Sequence, residues 1–181
     1  MRRTLPPDLL GQVGALDPAA IEAVQRESWP VVRDADELHD ALLTLVWIPE
    51  AEVSAWIPFF PSLVETGRAV ELPAKGWVAT ENREGVERVL AGDDHPLLDT
   101  IVLGWMESIG PTTTAELAER LHLPAPAIEA AMIRLESQGQ VLRGQFRPIS
   151  ALSPQHSALS GASGREWCHR RLLARIHRLT I

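Results

Sequence analysis

Tyrosine is absent from this chain, and there are only three phenylalanines and a single cysteine, Cys168. One thiol excludes an internal disulfide framework and fits a reducing compartment. Long apolar runs are absent too, and none approaches the ~18 residues that a membrane-spanning helix needs. The opening stretch MRRTLPPDLLGQ has two arginines with no apolar segment behind them, so it does not read as a secretory signal. A cytoplasmic protein with no membrane association is expected. Signatures of catalysis are equally scarce. No phosphate-binding loop of the Gly-x-x-x-x-Gly-Lys-Ser/Thr type occurs, no serine sits in a nucleophile elbow, and no Cys/His cluster has zinc spacing. Asp36-Glu37-Leu38-His39 spells the acidic box of many helicases. Arg33-Asp34-Ala35 precedes it where that box needs an apolar strand, so these residues read as a helix start. No catalytic residue, metal or cofactor is expected.

What is present is a globular composition with an uneven charge. The 181 residues are 45% hydrophobic and 23% charged, enough for one large domain or two small ones. Residues 165–181 hold five arginines and one glutamate, net +4, so the other 164 carry −11 behind the chain's overall −7. An acidic body does not invite nucleic acid, whereas a basic end does. Trp29, Trp47, Trp77 and Trp105 fall in apolar patterns or at element edges and are expected in the core.

Helix signals repeat along the chain. Asp17-Pro18 offers an N-cap and an N1 proline, with Ile21 and Val24 on one face. Asp34-x-x-Glu37 caps a second helix with a stripe of Leu38, Leu42 and Leu45. A third helical region from Pro49 must break or kink at Pro58 and Pro61 and stops at Gly67. RAVEL and WVAT then read as a hairpin. In the second copy, Leu98, Ile101, Trp105 and Ile109 share a face, Thr113-x-x-Glu116 is a capping box, and Ile128, Met132 and Leu135 point inward ahead of Gly139. Residues 140–142 and 145–147 are expected to pair across Gly144. LVETGRAV (63–70) and LESQGQVL (135–142) share Leu-x-x-x-Gly before an apolar strand, 72 residues apart.

Three helices followed by a hairpin is the winged-helix order. The expected fold is mainly α with small β-hairpins (α+β): tandem winged-helix domains plus a C-terminal amphipathic helix. The expected divisions are an N-terminal extension (1–16), a first winged helix (17–80), a connector (81–95), a second winged helix (96–148), a flexible linker (149–164) and a basic amphipathic helix (165–181). The linker is rich in Ser, Ala and Gly. The closing helix has no stop signal before its last residue.

Groove reading by the third helices is poorly supported, because residues 126–138 carry Glu129, Arg134 and Glu136 and the first copy's third helix carries Glu50, Glu52 and Glu65. Such units also serve as packing or protein–protein modules. The wing of the second copy is basic through Arg143 and Arg147. On a helical wheel of 165–181, Cys168, Leu172, Leu173, Ile176 and Leu179 share an arc, with Arg170, Arg171, Arg175, His177 and Arg178 opposite or at its edge. The basic arc suits phosphates, and Trp167 beside it suits stacking on an unpaired base. The alternative is that the arginines pair with the acidic body while Trp167 is buried. The candidate nucleic-acid-binding set is Arg143, Arg147, Trp167, Arg170, Arg171, Arg175 and Arg178.

SWPVVRDADELHDALLTL (28–45), GPTTTAELAERLHLP with RLESQGQVLRGQF (110–146) and, above all, EWCHRRLLARIHRLTI (166–181) resemble the C-terminal half of the large helicase-related (Lhr) family of ATP-dependent DNA helicases linked to DNA repair. The resemblance covers about residues 9–181. It implies tandem winged helices outside the ATPase core, followed in the family by a β-barrel, and a fragment of a larger polypeptide. It also implies DNA binding, single-stranded or forked, and assembly with the rest of the helicase polypeptide or with itself. Two alternatives stand beside this reading. One is an oligomerisation module without DNA contact, and the other is part of a winged-helix DNA glycosylase-like enzyme lacking its catalytic barrel.

Overall fold

The computed structural model describes residues 16–148 and 165–180. The expected linker 149–164 and all but the last residue of the N-terminal extension lie outside the described residues. Eight helices and five short strands make up the rest, a mainly helical α+β fold.

Helix α1 (Pro18–Ser28) begins where Asp17 accepts the Ala19 N–H at 3.0 Å and Pro18 fills a position whose N–H would have no partner. Helix α2 (Ala35–Leu45) starts at Asp34, whose carboxylate accepts the Glu37 N–H, so Asp36 and Glu37 form its first turn. Strand β1 (Ile48–Pro49) follows. The proline-rich stretch after it stays 3₁₀-helical over Ser54–Phe59 and becomes α-helical only in the short α3 (Phe60–Glu65). Pro58 supplies no N–H to the ladder there, which accounts for the tighter winding. Strands β2 (Ala69–Leu72) and β3 (Gly76–Ala79) complete a three-stranded antiparallel sheet in the order β1-β3-β2. Helix α4 (Arg83–Leu90) bridges to the second half.

There α5 (Leu97–Ile109) is followed by Thr112, which pairs in antiparallel fashion with Trp167 through backbone hydrogen bonds of 2.7 and 2.9 Å. Helix α6 (Thr114–Leu121) carries the full capping box between Thr113 and Glu116, and α7 (Ala125–Ser137) leads into β4 (Val141–Gly144). Strand β5 (Glu166–His169) pairs antiparallel with β4, and α8 (Arg170–Thr180) continues directly from it. The 72-residue echo is visible in the backbone. Gly67 N–H bonds Val64 C=O and Arg68 N–H bonds Leu63 C=O. Likewise Gly139 N–H bonds Glu136 C=O and Gln140 N–H bonds Leu135 C=O. Both glycines have φ near 70°, the left-handed region where a Cβ is penalised.

Three expectations need correction. The second hairpin is not 140–142 with 145–147. The Glu166 carboxylate accepts the N–H groups of Phe146 and Arg147, at 2.6 and 2.8 Å, so those amides are unavailable to a returning strand. The pairing strand is instead Glu166–His169, and the final helix therefore opens at Arg170 rather than at 165. The third correction concerns α1. The helix–strand–helices–hairpin order runs from α2 in the first half and from α5 in the second. α1 stands outside it, packing Ala20, Ile21 and Val24 against Cys168, Leu172, Ile176 and Phe146 in a small separate cluster.

The two halves share one continuous core, running from Leu38 to Trp167. Trp47 donates its indole N–H to the Leu121 carbonyl and Trp105 donates to the Trp47 carbonyl, both at 3.0 Å and both buried. Trp47, Trp77 and Trp105 are core residues, and Trp29 packs partly buried against them. Gly104 of α5 lies so close to α2 that a Cβ there would sit 2.0 Å from the Thr44 carbonyl oxygen. Among the described residues, no helix is long and apolar enough to cross a membrane.

Candidate nucleic-acid interface

Strand β5 is buried at all four positions because both its faces are covered. Alternation sends Trp167 into the main core and Cys168 into the cluster beneath α1. Register sets Arg143 opposite Trp167 and Gly144 opposite Glu166. These facts decide the fate of most candidate residues.

Trp167 is 2% exposed and donates its indole N–H to the Thr114 hydroxyl at 3.0 Å. The Arg143 guanidinium covers its ring at 4.5 Å from the centroid and pairs with Glu136 at 2.5 Å. The expectation that Trp167 stacks on a base is thus corrected: the ring is buried, and Arg143 covers one of its faces. Arg147 is corrected as well. It pairs with Glu116 at 2.7 Å and also with Glu166, inside the fold. Burial works against its charge, yet the hydrogen bonds and attraction of Glu116 and Glu166 outweigh burial and raise its pKa. The same balance applies to Glu116. Burial would raise its pKa, but Arg147, the Thr113 N–H and the Thr112 hydroxyl together hold it below the usual carboxylate range. Arg175 pairs with Glu27 and bonds the Ser28 hydroxyl of α1 at 3.3 Å, so it fastens α8 to α1.

Arg170, Arg171 and Arg178 remain. All three are exposed, and none makes a side-chain ion pair or hydrogen bond among the described residues. They lie on the solvent face of α8 with His177, and Arg170–Thr180 contains no carboxylate. The opposite face docks Leu172 and Ile176 against α1, with Leu173 partly covered. Leu179, placed on the apolar arc by the wheel, is 55% exposed because the cluster ends before it.

Sequence reasoning missed Glu166 and His169, both buried. The clue was composition: Trp, Cys and His are mediocre helix formers, and a Glu-Trp-Cys-His run before RRLLARI reads better as a strand feeding a helix. The exposed residues of α7 carry no charge to offer a nucleic acid. Pro126, Ala130, Ile133 and Ser137 line the outer face of that helix, while Arg134 turns aside to Asp99 at 2.6 Å. A cavity of about 250 Å³ lies between α1, Thr112 and α6, and the two arginines on its wall, Arg120 and Arg147, are engaged by Glu52 and Glu116. Among the described residues, no group of three His, Cys, Asp or Glu side chains converges as metal ligands would.

No protein-family model, no curated protein and no solved structure matches this chain.

Proposed function

We propose that the chain is a non-catalytic, DNA-contacting module of the kind that lies outside the ATPase core in large helicase-related proteins, built from two winged helices in tandem. Support for the winged-helix reading is the shared order of helix, short strand, helices and hairpin, with the last strand central in each sheet: β1-β3-β2 and Thr112-β5-β4. The observation that carries the DNA reading is the solvent face of α8. In a protein of net charge −7, Arg170, Arg171 and Arg178 stay out of ion pairs among the described residues. Three unneutralised guanidiniums on one face attract a polyanion and release its counterions on contact. From residue 170 to 178 the helix advances ~12 Å at 1.5 Å per residue, the length of three or four nucleotides along one strand of a duplex at ~3.4 Å each.

Fluorescence anisotropy with labelled single-stranded, forked and duplex oligonucleotides at low salt tests this reading. Binding that weakens markedly on changing Arg170, Arg171 and Arg178 together to alanine supports it, and no binding to any of the three removes it.

A second reading has its own observation. Pro126, Ala130, Ile133 and Ser137 recur on one uncharged, exposed face of α7, and Ile133 is 47% exposed. Such a face suits protein contact better than phosphate contact. On this reading light scattering finds concentration-dependent oligomers that Ile133→Glu dissolves, and the oligonucleotides do not bind.

A further inference from the structure

His169 ends β5 and stands directly before the first turn of α8. Its side chain is 2% exposed, and neither ring nitrogen has a hydrogen-bond partner among the described residues. Buried polar side chains nearly always have one, so this imidazole is poised to gain a partner.

The charged groups around it come from two elements. Glu107 of α5 brings Oε1 to 3.6 Å from Nε2, just beyond hydrogen-bond length. Arg170 and Arg171 of α8 follow it in the chain and are both exposed. On the β4 side its strand partner is Val141, which carries no charge. The first turn of α8 contains no acidic residue to offset the positive end of the helix dipole. Burial has the largest influence and lowers the imidazole pKa. Glu107 opposes it, and Arg171 and Arg170 reinforce it. The ring therefore favours its neutral form at pH 7, held there by burial and the charges of Arg170 and Arg171 against the pull of the Glu107 carboxylate.

We propose that His169 couples proton uptake to phosphate binding at the start of α8. A nucleic-acid phosphate seated on Arg170 and Arg171 offsets their charge, the ring takes one proton from solvent, and Nε2–H donates to Glu107 Oε1. This rests on the DNA reading of α8 given above. The only covalent change is one N–H bond formed with a proton supplied by water. Linkage fixes the sign: because binding takes up a proton, affinity rises as pH falls through the titration of His169.

The test combines oligonucleotide anisotropy between about pH 5.5 and 7.5 at fixed ionic strength with NMR titration of the His169 ring in the free and bound protein. Wild-type binding is expected to tighten about three- to fivefold over that range, the part of a one-unit pKa rise that it spans. His169→Gln is expected to lose most of that pH dependence, and the His169 titration moves upward when the oligonucleotide is added. Glu107→Gln moves it downward, and this variant with the wild-type titration decides the matter if His169→Gln does not fold. Equal pH dependence in wild type and His169→Gln, or a His169 titration that the oligonucleotide leaves unmoved, overturns the coupling while DNA binding stands. No binding at any pH overturns both.

Discussion

Arg147 and Glu166, nineteen residues apart, are joined twice: the carboxylate accepts the Arg147 backbone N–H at 2.8 Å and pairs with its guanidinium. With the Phe146 N–H at 2.6 Å, this closes the chain after β4 and hands the strand position to β5. The contact thus decides where the second sheet ends. It also removes Arg147 from the surface and gives a fully buried carboxylate its counter-charge.

Arg147→Met therefore acts on stability. Removing one partner of a buried pair leaves the other uncompensated, at a cost of about 3–5 kcal/mol. The two backbone N–H groups that still serve Glu166 keep the expected loss near ~3 kcal/mol. Urea denaturation measures it. A loss under ~1 kcal/mol with weakened DNA binding would instead restore Arg147 to the interface.

Cys168 is shielded from chemistry. Burial, aided by the nearby Glu166 carboxylate, pushes its thiol pKa up to about 12. The sign follows directly: the thiolate, which is the reactive form, is scarce throughout the neutral range. A thiol reagent near pH 8 is expected to leave the native protein unlabelled and to label one site per chain after denaturation. Prompt native labelling would show that the strand lies open on the α1 side.

The two halves are predicted to unfold as one unit. A methyl group at residue 104 has nowhere to go, with the Thr44 carbonyl oxygen 2.0 Å from the Cβ position, so Gly104→Ala forces α2 and α5 apart. The expected cost is about 2–3 kcal/mol in a single cooperative transition. Two separate transitions, or a neutral substitution, would mean that the halves do not share the core running through Trp47 and Trp105.

Most helices were legible because their signals are local. Asp17-Pro18, Asp34 and the Thr113/Glu116 box each fix a helix start within a few residues, and the Leu63–Gly67 and Leu135–Gly139 motifs fix two stops. The α8 arc was legible where it is helical, through Leu172 and Ile176. What stayed hidden depends on distant partners. Four residues of β5 pair with a strand on the far side of residues 149–164, and no local pattern reports that register. The docking of α1 on α8 joins the two ends of the described chain. The same blindness affected the candidate site. Arg143, Arg147 and Arg175 look alike in sequence to Arg170, Arg171 and Arg178, but only the fold shows that the first three answer to Glu136, Glu116 with Glu166, and Glu27.

The salt dependence of oligonucleotide affinity is the most direct measurement of the central claim. Each phosphate contact contributes about 0.7 to the log–log slope on a single strand and about 0.9 on a duplex. If the α8 face is the contact surface, changing Arg170, Arg171 and Arg178 to alanine flattens the wild-type slope by about 2–3, while Arg143→Ala leaves it unchanged. A wild-type slope that survives the triple substitution, or an affinity indifferent to salt, would contradict the account.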